Sequence, residues 1–129
     1  MGGGVGLSWH SPIRVATDNS MYAMPETAIG FFTDVGGSYF LPRLNNEDIS
    51  VGLYLGMSGQ RVKAQELVKF GIATHFVPQA NMSAMYSDIK TQVKADSTNE
   101  QIAAIVDRHS MKDNTKTGIA NIEEIRHIF

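Results

Sequence analysis

Eleven of the 12 glycines and all four prolines of this chain lie at or before Pro78. Beyond that point Gly118 is the one remaining residue of either kind. Glycine and proline are the strongest local breakers of regular structure. The first part therefore has to be a turn-rich mixture of short elements, and the second reads as helices with polar connections. With 129 residues there is room for one domain of ordinary size. Apolar residues make up 43%, enough for a core. With 11 Lys and Arg against 13 Asp and Glu, the chain has neither the charge excess of a disordered segment nor the basic face of a nucleic-acid binder. No apolar run approaches the ~20 residues of a membrane-spanning helix, so neither nucleic acid nor membrane is expected as a partner. Cysteine is absent, which removes disulfides, thiolate nucleophiles and cysteine metal sites. The first residues show neither a signal peptide nor an Arg-rich transit segment. No repeat appears at a solenoid period.

The glycine turn Gly2-Gly3-Gly4 feeds a short helix. Residues 13–17 alternate apolar and polar with β-branched members and predict a strand. Asp18-Asn19-Ser20 is a turn, and residues 21–24 form a second extended run stopped by Pro25, which biases Met24 away from helical geometry. Asp34 stands where it would cap a helix over 35–41. Further helices are predicted over 47–57 and 64–70, the latter closed by Gly71 as the C′ residue, and a strand over 73–77. Later helices are expected over 81–94, 98–108 and 120–128, with Ile102, Ile105 and Val106 at helical spacing.

Three features carry chemistry. Successive glycines bring the backbone close to a ligand, and amides opening a helix can face developing negative charge. A flexible turn explains the same triplet, which is neither a phosphate loop nor a dinucleotide fingerprint. Glu26 and Asp34 both sit at element ends, where two carboxylates can divide base and acid work. A solvated surface acid at 26 and a plain helix cap at 34 are the other readings. His10, His75, His109 and His127 lie too far apart for a metal-helix signature, so no metal is expected. His75 is expected as a core or surface imidazole on its strand. The seven methionines read as core filler, and Trp9 and the Phe31-Phe32 pair as core or pocket wall.

Taken together, these pieces resemble a known family. The run at 1–8, Arg14-Val15-Ala16-Thr17, Ala23-Met24-Pro25-Glu26-Thr27-Ala28-Ile29-Gly30-Phe31-Phe32 and Asp34-Val35-Gly36-Gly37-Ser38-Tyr39-Phe40-Leu41-Pro42-Arg43-Leu44 are similar to the crotonase (enoyl-CoA hydratase/isomerase) superfamily. The likeness continues through Leu55-Gly56-Met57-Ser58-Gly59 and Gly71-Ile72-Ala73-Thr74-His75-Phe76-Val77, then fades after about residue 80. Asn121-Ile122-Glu123-Glu124-Ile125 resembles the start of a later helical stretch. The resemblance implies an α/β fold, a partial ββα spiral core over residues 1–79 followed by a helical region over 80–129.

It also implies a reaction. Hydratases of the family resemble Gly-Gly-Gly-x-Glu, whose glutamate is one of two catalytic acids; here that position is Gly6. The shared acid falls on Glu26, and the hydrolase branch pairs it with an aspartate that falls on Asp34. The expected activity is hydrolysis of a short-chain hydroxyacyl-CoA thioester. The Gly3 N–H would be one oxyanion donor, with Gly2 and Gly4 leaving the backbone unobstructed. Glu26 would attack the carbonyl or activate the water that does, and Asp34 would position the substrate hydroxyl or a water and manage a proton. CoA enters as part of the substrate, and no separate cofactor is expected. Valine breakdown and a mitochondrial site follow from the same resemblance.

Two departures stand out. Thr33 replaces the proline that the family usually places before the aspartate, and keeps the turn less rigidly. Family members are also much longer, with a strand-rich half before the glycine run that carries the other oxyanion amide and most adenine contacts. The chain thus reads as the middle of an enzyme, either a fragment or a truncated product. Truncation would expose strand edges and favour self-association or a partner chain. A non-catalytic remnant bound to a partner is accordingly the second reading, and a hydratase or isomerase, disfavoured by Gly6, the third.

Overall fold

The computed structural model describes residues 1–44, 49–111 and 122–129. Helix α1 (Gly3–Trp9) follows the first glycines. Strand β1 (Val15–Ala16) pairs in parallel with β4 (His75–Phe76), Val15 opposite His75 and Ala16 opposite Phe76. Both are shorter than their sequence patterns, for local reasons. The Arg14 N–H donates to the Thr74 hydroxyl (2.8 Å) instead of a ladder carbonyl. At the other end, Thr17 N–H is taken by Ser20 Oγ (2.9 Å) in the expected turn. Strand β2 (Met21–Tyr22) pairs antiparallel with β3 (Val62–Lys63), a strand too short to show a period in the sequence.

Met24 is extended (φ −113°, ψ 84°), as its following proline requires, and Pro25 opens a 3-10 turn over Pro25–Ile29. Helix α2 (Gly37–Phe40) runs into a second such turn, Leu41–Arg43. Helix α3 (Ile49–Ser58) occupies the described part of the segment predicted over 47–57; residues 47 and 48 lie outside the described residues. Helix α4 (Glu66–Lys69) is shorter than predicted because Ala64, at φ 49°, cannot belong to it. Gly71 closes it as expected, at φ 73° and donating its N–H to Val68 O (2.9 Å).

Helices α5 (Met82–Gln92), α6 (Asn99–His109) and α7 (Ile122–Ile128) complete the chain. The prediction over 120–128 begins on two residues outside the described set. A capping box starts α6, with Gln101 N–H donating to Thr98 Oγ1 and Thr98 N–H to Gln101 Oε1. Imidazoles tie α6 down. His109 Nε2 meets Asp88 Oδ2 of α5 at 2.8 Å, and His75 Nε2 of β4 meets Asp107 Oδ1 at 3.3 Å.

The larger core holds Met24, Leu44, Val51, Leu55, Val62 and Phe70, and Ile125 of α7 joins it. A smaller one gathers Val77, Met85 and Val106 with Ile13 and Val15. Trp9 packs on this larger core by stacking on Phe40 at 4.7 Å. Phe31 and Phe32 do not join it; they stack on each other at 4.3 Å and are exposed. Met24 and Met85 are core filler, whereas Met1, Met21, Met57 and Met111 are exposed. Among the described residues no helix is long and apolar enough to cross a membrane.

Candidate active site

Glu26 occupies the first turn of the 3-10 segment directly after Pro25. Its carbonyl accepts the Phe31 N–H (3.0 Å), and Gly30, at φ 72°, makes that reversal possible. The side chain is not simply a solvated acid. Oε2 is buried and, among the described residues, has no hydrogen-bond partner. Buried polar atoms without partners are rare, and in native structures they call for an explanation such as a catalytic role. Burial, and then the charge of Glu26, push the Tyr22 phenol far above the ordinary tyrosine range.

Asp34 does not cap a helix. The residue before α2 is Gly36, left-handed at φ 80°, and no side chain bonds to that helix end. Asp34 instead accepts the N–H of Val35 through Oδ1 (2.7 Å), and its side chain is exposed. The reason is Val35, at φ 48°. A β-branched residue rarely enters that region, and such strain costs on the order of 1–3 kcal/mol. The turn it makes takes the aspartate off the helix end and leaves its side chain exposed. Thr33 holds the near side of this turn by donating its hydroxyl to Gly56 O of α3 (3.2 Å). A hydroxyl-to-backbone bond here takes over what a proline would do by ring geometry.

Gly6 of α1 meets this strained turn. A Cβ on Gly6 would lie 2.9 Å from Val35 O and 3.2 Å from Val35 Cβ. The glycine run and the Asp34 loop are thus in contact, and position 6 has no room for a side chain while Val35 stays in place. Gly2, at φ 56°, precedes α1. At Gly2, Gly3 and Gly4 an added Cβ would meet open space, so packing within the described residues does not require glycine there. First-turn helix amides have no acceptor one turn back in their own helix.

An apolar groove of about 440 Å³ has neither acid in its lining. Thr27 and Thr33, sequence neighbours of Glu26 and Asp34, line it together with Phe32, Leu53 and Met57. A second cavity of about 330 Å³ is lined by Gly4, Val5, Arg14 and Tyr22. A larger one of about 620 Å³, lined by Gln92, Lys94 and Arg108, is made by α5, α6 and their connection and holds none of the candidate residues. Among the described residues no three His, Asp or Glu side chains gather as a metal site. Tyr22, Thr33 and Val35 are the parts that sequence reading does not place in the site. Only Thr33 carried a signal, as a departure from the family pattern.

Comparison with known proteins bears on the family and the fold. A profile described as enoyl-CoA hydratase/isomerase matches residues 1–129. The chain is 43% identical over 134 residues to "3-hydroxyisobutyryl-CoA hydrolase, mitochondrial" of Xenopus laevis, covering 100% of this chain and 34% of that protein. The protein of the same name from Homo sapiens is 46% identical over 109 residues, covering 84% of this chain and 27% of its own length. The chain therefore spans about a third of the length of the curated relatives it matches. Among solved structures, a carnitinyl-CoA dehydratase from Mycobacterium thermoresistibile superposes with a TM-score of 0.72 at 29% identity, over 98% of this chain and 33% of that one. An enoyl-CoA hydratase from Bacillus anthracis gives 0.62 at 25% identity, over 81% and 40%. The short strands and helices are thus part of a crotonase-like α/β fold, as the motifs predicted. Motif, fold and full-length profile match converge, and the chain belongs to the enoyl-CoA hydratase/isomerase family.

Proposed function

We propose that the protein hydrolyses a short-chain hydroxyacyl-CoA thioester, 3-hydroxyisobutyryl-CoA foremost, to the free hydroxy acid and CoA. The observation that carries this reading over hydration is the contact between Gly6 and Val35. A side chain at position 6, where a hydratase has its second acid, would meet the Val35 backbone, and the same contact borders the turn that exposes Asp34. The names of the relatives supply the substrate and the mitochondrion as its place, and the family resemblance supplies valine degradation.

In this reading the thioester carbonyl rests on the Gly3 N–H, flanked by Gly2 and Gly4. Glu26 delivers an oxygen to the carbonyl carbon: that of a water it deprotonates, or its own, in which case a water then splits the anhydride so formed and restores the glutamate. The C–S bond breaks and CoA leaves as the thiol. Asp34 orients the substrate hydroxyl or the water and handles the proton. One oxyanion donor is part of a site, since removing a single donor typically costs about 10²–10³ in rate. The rest of the site falls to chain that the longer relatives have in addition, or to a partner chain.

The test is CoA thiol release from 3-hydroxyisobutyryl-CoA, with a cysteine-free protein adding no thiol background. Release is the expected result. Hydration of an enoyl-CoA without thiol release would overturn the hydrolase reading. Neither reaction would leave a non-catalytic chain that acts through a partner.

Gly6→Glu is expected to impair hydrolysis without creating a hydratase. Its Cβ falls on Val35 O. Overpacking of this kind costs about 1–3 kcal/mol, and the first thing to move is the Asp34 turn. Denaturation midpoints with both activity assays check this; an unchanged midpoint would mean Val35 yields freely.

A further inference from the structure

Both acid turns rest on the end of α3. A Cβ on Gly59, the residue directly after that helix, would lie 3.2 Å from Thr27 Oγ1, 3.3 Å from Met24 O and 3.6 Å from Pro25 Cα, so the Glu26 turn sits close on this point. About one turn earlier, a Cβ on Gly56 would lie 3.1 Å from Thr33 Oγ1. The Thr33 hydroxyl donates there to Gly56 O (3.2 Å). The last carbonyls of a helix have no partner within it. The residue before Asp34 therefore supplies a bond that α3 needs.

The half-buried Thr33 side chain is fixed at both of its branches. Its methyl lies over Gly37 of α2, where a Cβ would stand 2.2 Å from Cγ2. A β-branched side chain is stiff at χ1, so placing the methyl at Gly37 aims the hydroxyl at α3. On the other side of Asp34, Val35 takes φ 48° with its O and Cβ against Gly6 of α1. Asp34 thus lies between two anchors, Thr33 on α3 and Val35 on α1. Its own O accepts the Gly37 N–H (2.8 Å) and its Oδ1 the Val35 N–H (2.7 Å), so the aim of the carboxylate follows the backbone of the turn. A strained φ persists only where its surroundings over-determine it. Releasing the Thr33 anchor lets Val35 relax and the aspartate turn away.

We propose that Thr33 is a positioning residue for Asp34: its hydroxyl latches the aspartate turn to the end of the helix that also seats the Glu26 turn, giving the two acids one common support. The latch is a property of the fold. Its catalytic consequence rests on the hydrolase reading above.

The experiment compares Thr33→Val, which removes the hydroxyl and keeps both branches, with Thr33→Ser, which keeps the hydroxyl and loses the methyl. NMR of the whole protein reads two signals. One is the Gly56 carbonyl carbon. The other is the Val35 amide, whose resonance shifts as acid neutralises Asp34 and which is assigned by the loss of that response in Asp34→Asn. Thr33→Val is expected to move the Gly56 carbonyl and remove the Val35 response, and Thr33→Ser to retain both. A Val35 response that survives Thr33→Val overturns the proposal, whether or not the Gly56 carbonyl moves. A response that Thr33→Ser also loses overturns it too, because packing of the methyl would then be the cause. In the thiol-release assay kcat/KM is expected to fall about two- to tenfold in Thr33→Val, the worth of one neutral hydrogen bond, and to return in Thr33→Ser. An unchanged kcat/KM in Thr33→Val also overturns positioning. Absence of thiol release in the unsubstituted protein would count against the hydrolase reading alone, because the Val35 signal decides the latch without it.

Discussion

Glu26→Gln is expected to lower CoA release about 10²–10⁴-fold, the usual worth of a positioned acid–base group. The amide has nearly the same shape, and it can neither attack a thioester nor accept a proton from water. Stability is expected to hold or rise slightly. Among the described residues Oε2 makes no hydrogen bond that the substitution would break, and the amide carries no charge to keep out of water. The measurement is thiol release beside a urea denaturation curve for the same preparation. A loss of rate with an unchanged midpoint assigns the chemistry to Glu26. Retained release would move the nucleophile or base to Asp34, the other carboxylate proposed for the site.

Gly52→Ala is expected to be the most damaging small substitution for the fold. Gly52 lies inside α3, where alanine would ordinarily gain about 0.5–1 kcal/mol over glycine. Here its Cβ would stand 2.4 Å from Leu41 O and 2.6 Å from Leu41 C. These are backbone atoms of the Leu41–Arg43 turn, anchored by buried Leu41 and Leu44, so no flexible side chain can move aside. The clash outweighs the helix gain, and the expected net loss is at least about 3 kcal/mol, the upper part of the overpacking range. That is a large share of the ~5–15 kcal/mol that holds a domain together. Separation of α3 would also pull Gly56 O from the Thr33 hydroxyl, loosening the Asp34 turn. A urea midpoint equal to that of the unsubstituted protein would show that α3 and the turn have slack.

What could be read in advance was whatever is decided within a few residues. Pro25 dictates the extended Met24, Gly71 ends α4, apolar spacing places α6 within a residue of its observed limits, and the helix expected over 81–94 is α5 to within two. Family motifs supplied the crotonase-like fold, which composition and periodicity alone did not reach. The misreadings have distant causes. Asp34 sits where a cap should be, and nothing local says that Val35 will take φ 48°. The contact that goes with that turn comes from Gly6 on another helix. β3 pairs two residues, too few for a period to show. Of the two readings for Phe31 and Phe32, core or pocket wall, both rings lie outside the core and Phe32 lines the apolar groove.

The parallel pairing of β1 with β4 also sets a timetable. Arg14 and Thr74 bond across 60 positions of chain. A ribosome adding roughly 5–20 residues per second needs about 3–12 s for that stretch. Throughout it β1 exists without β4, and Ala16, which ends 2% exposed, has no strand there to cover it. Joining ends this far apart also carries the larger loop-closure cost, whereas the link from Asp88 to His109 closes over 21 positions. The helical hairpin can therefore assemble as soon as it is made, while the sheet beside the glycine helix waits for its last strand.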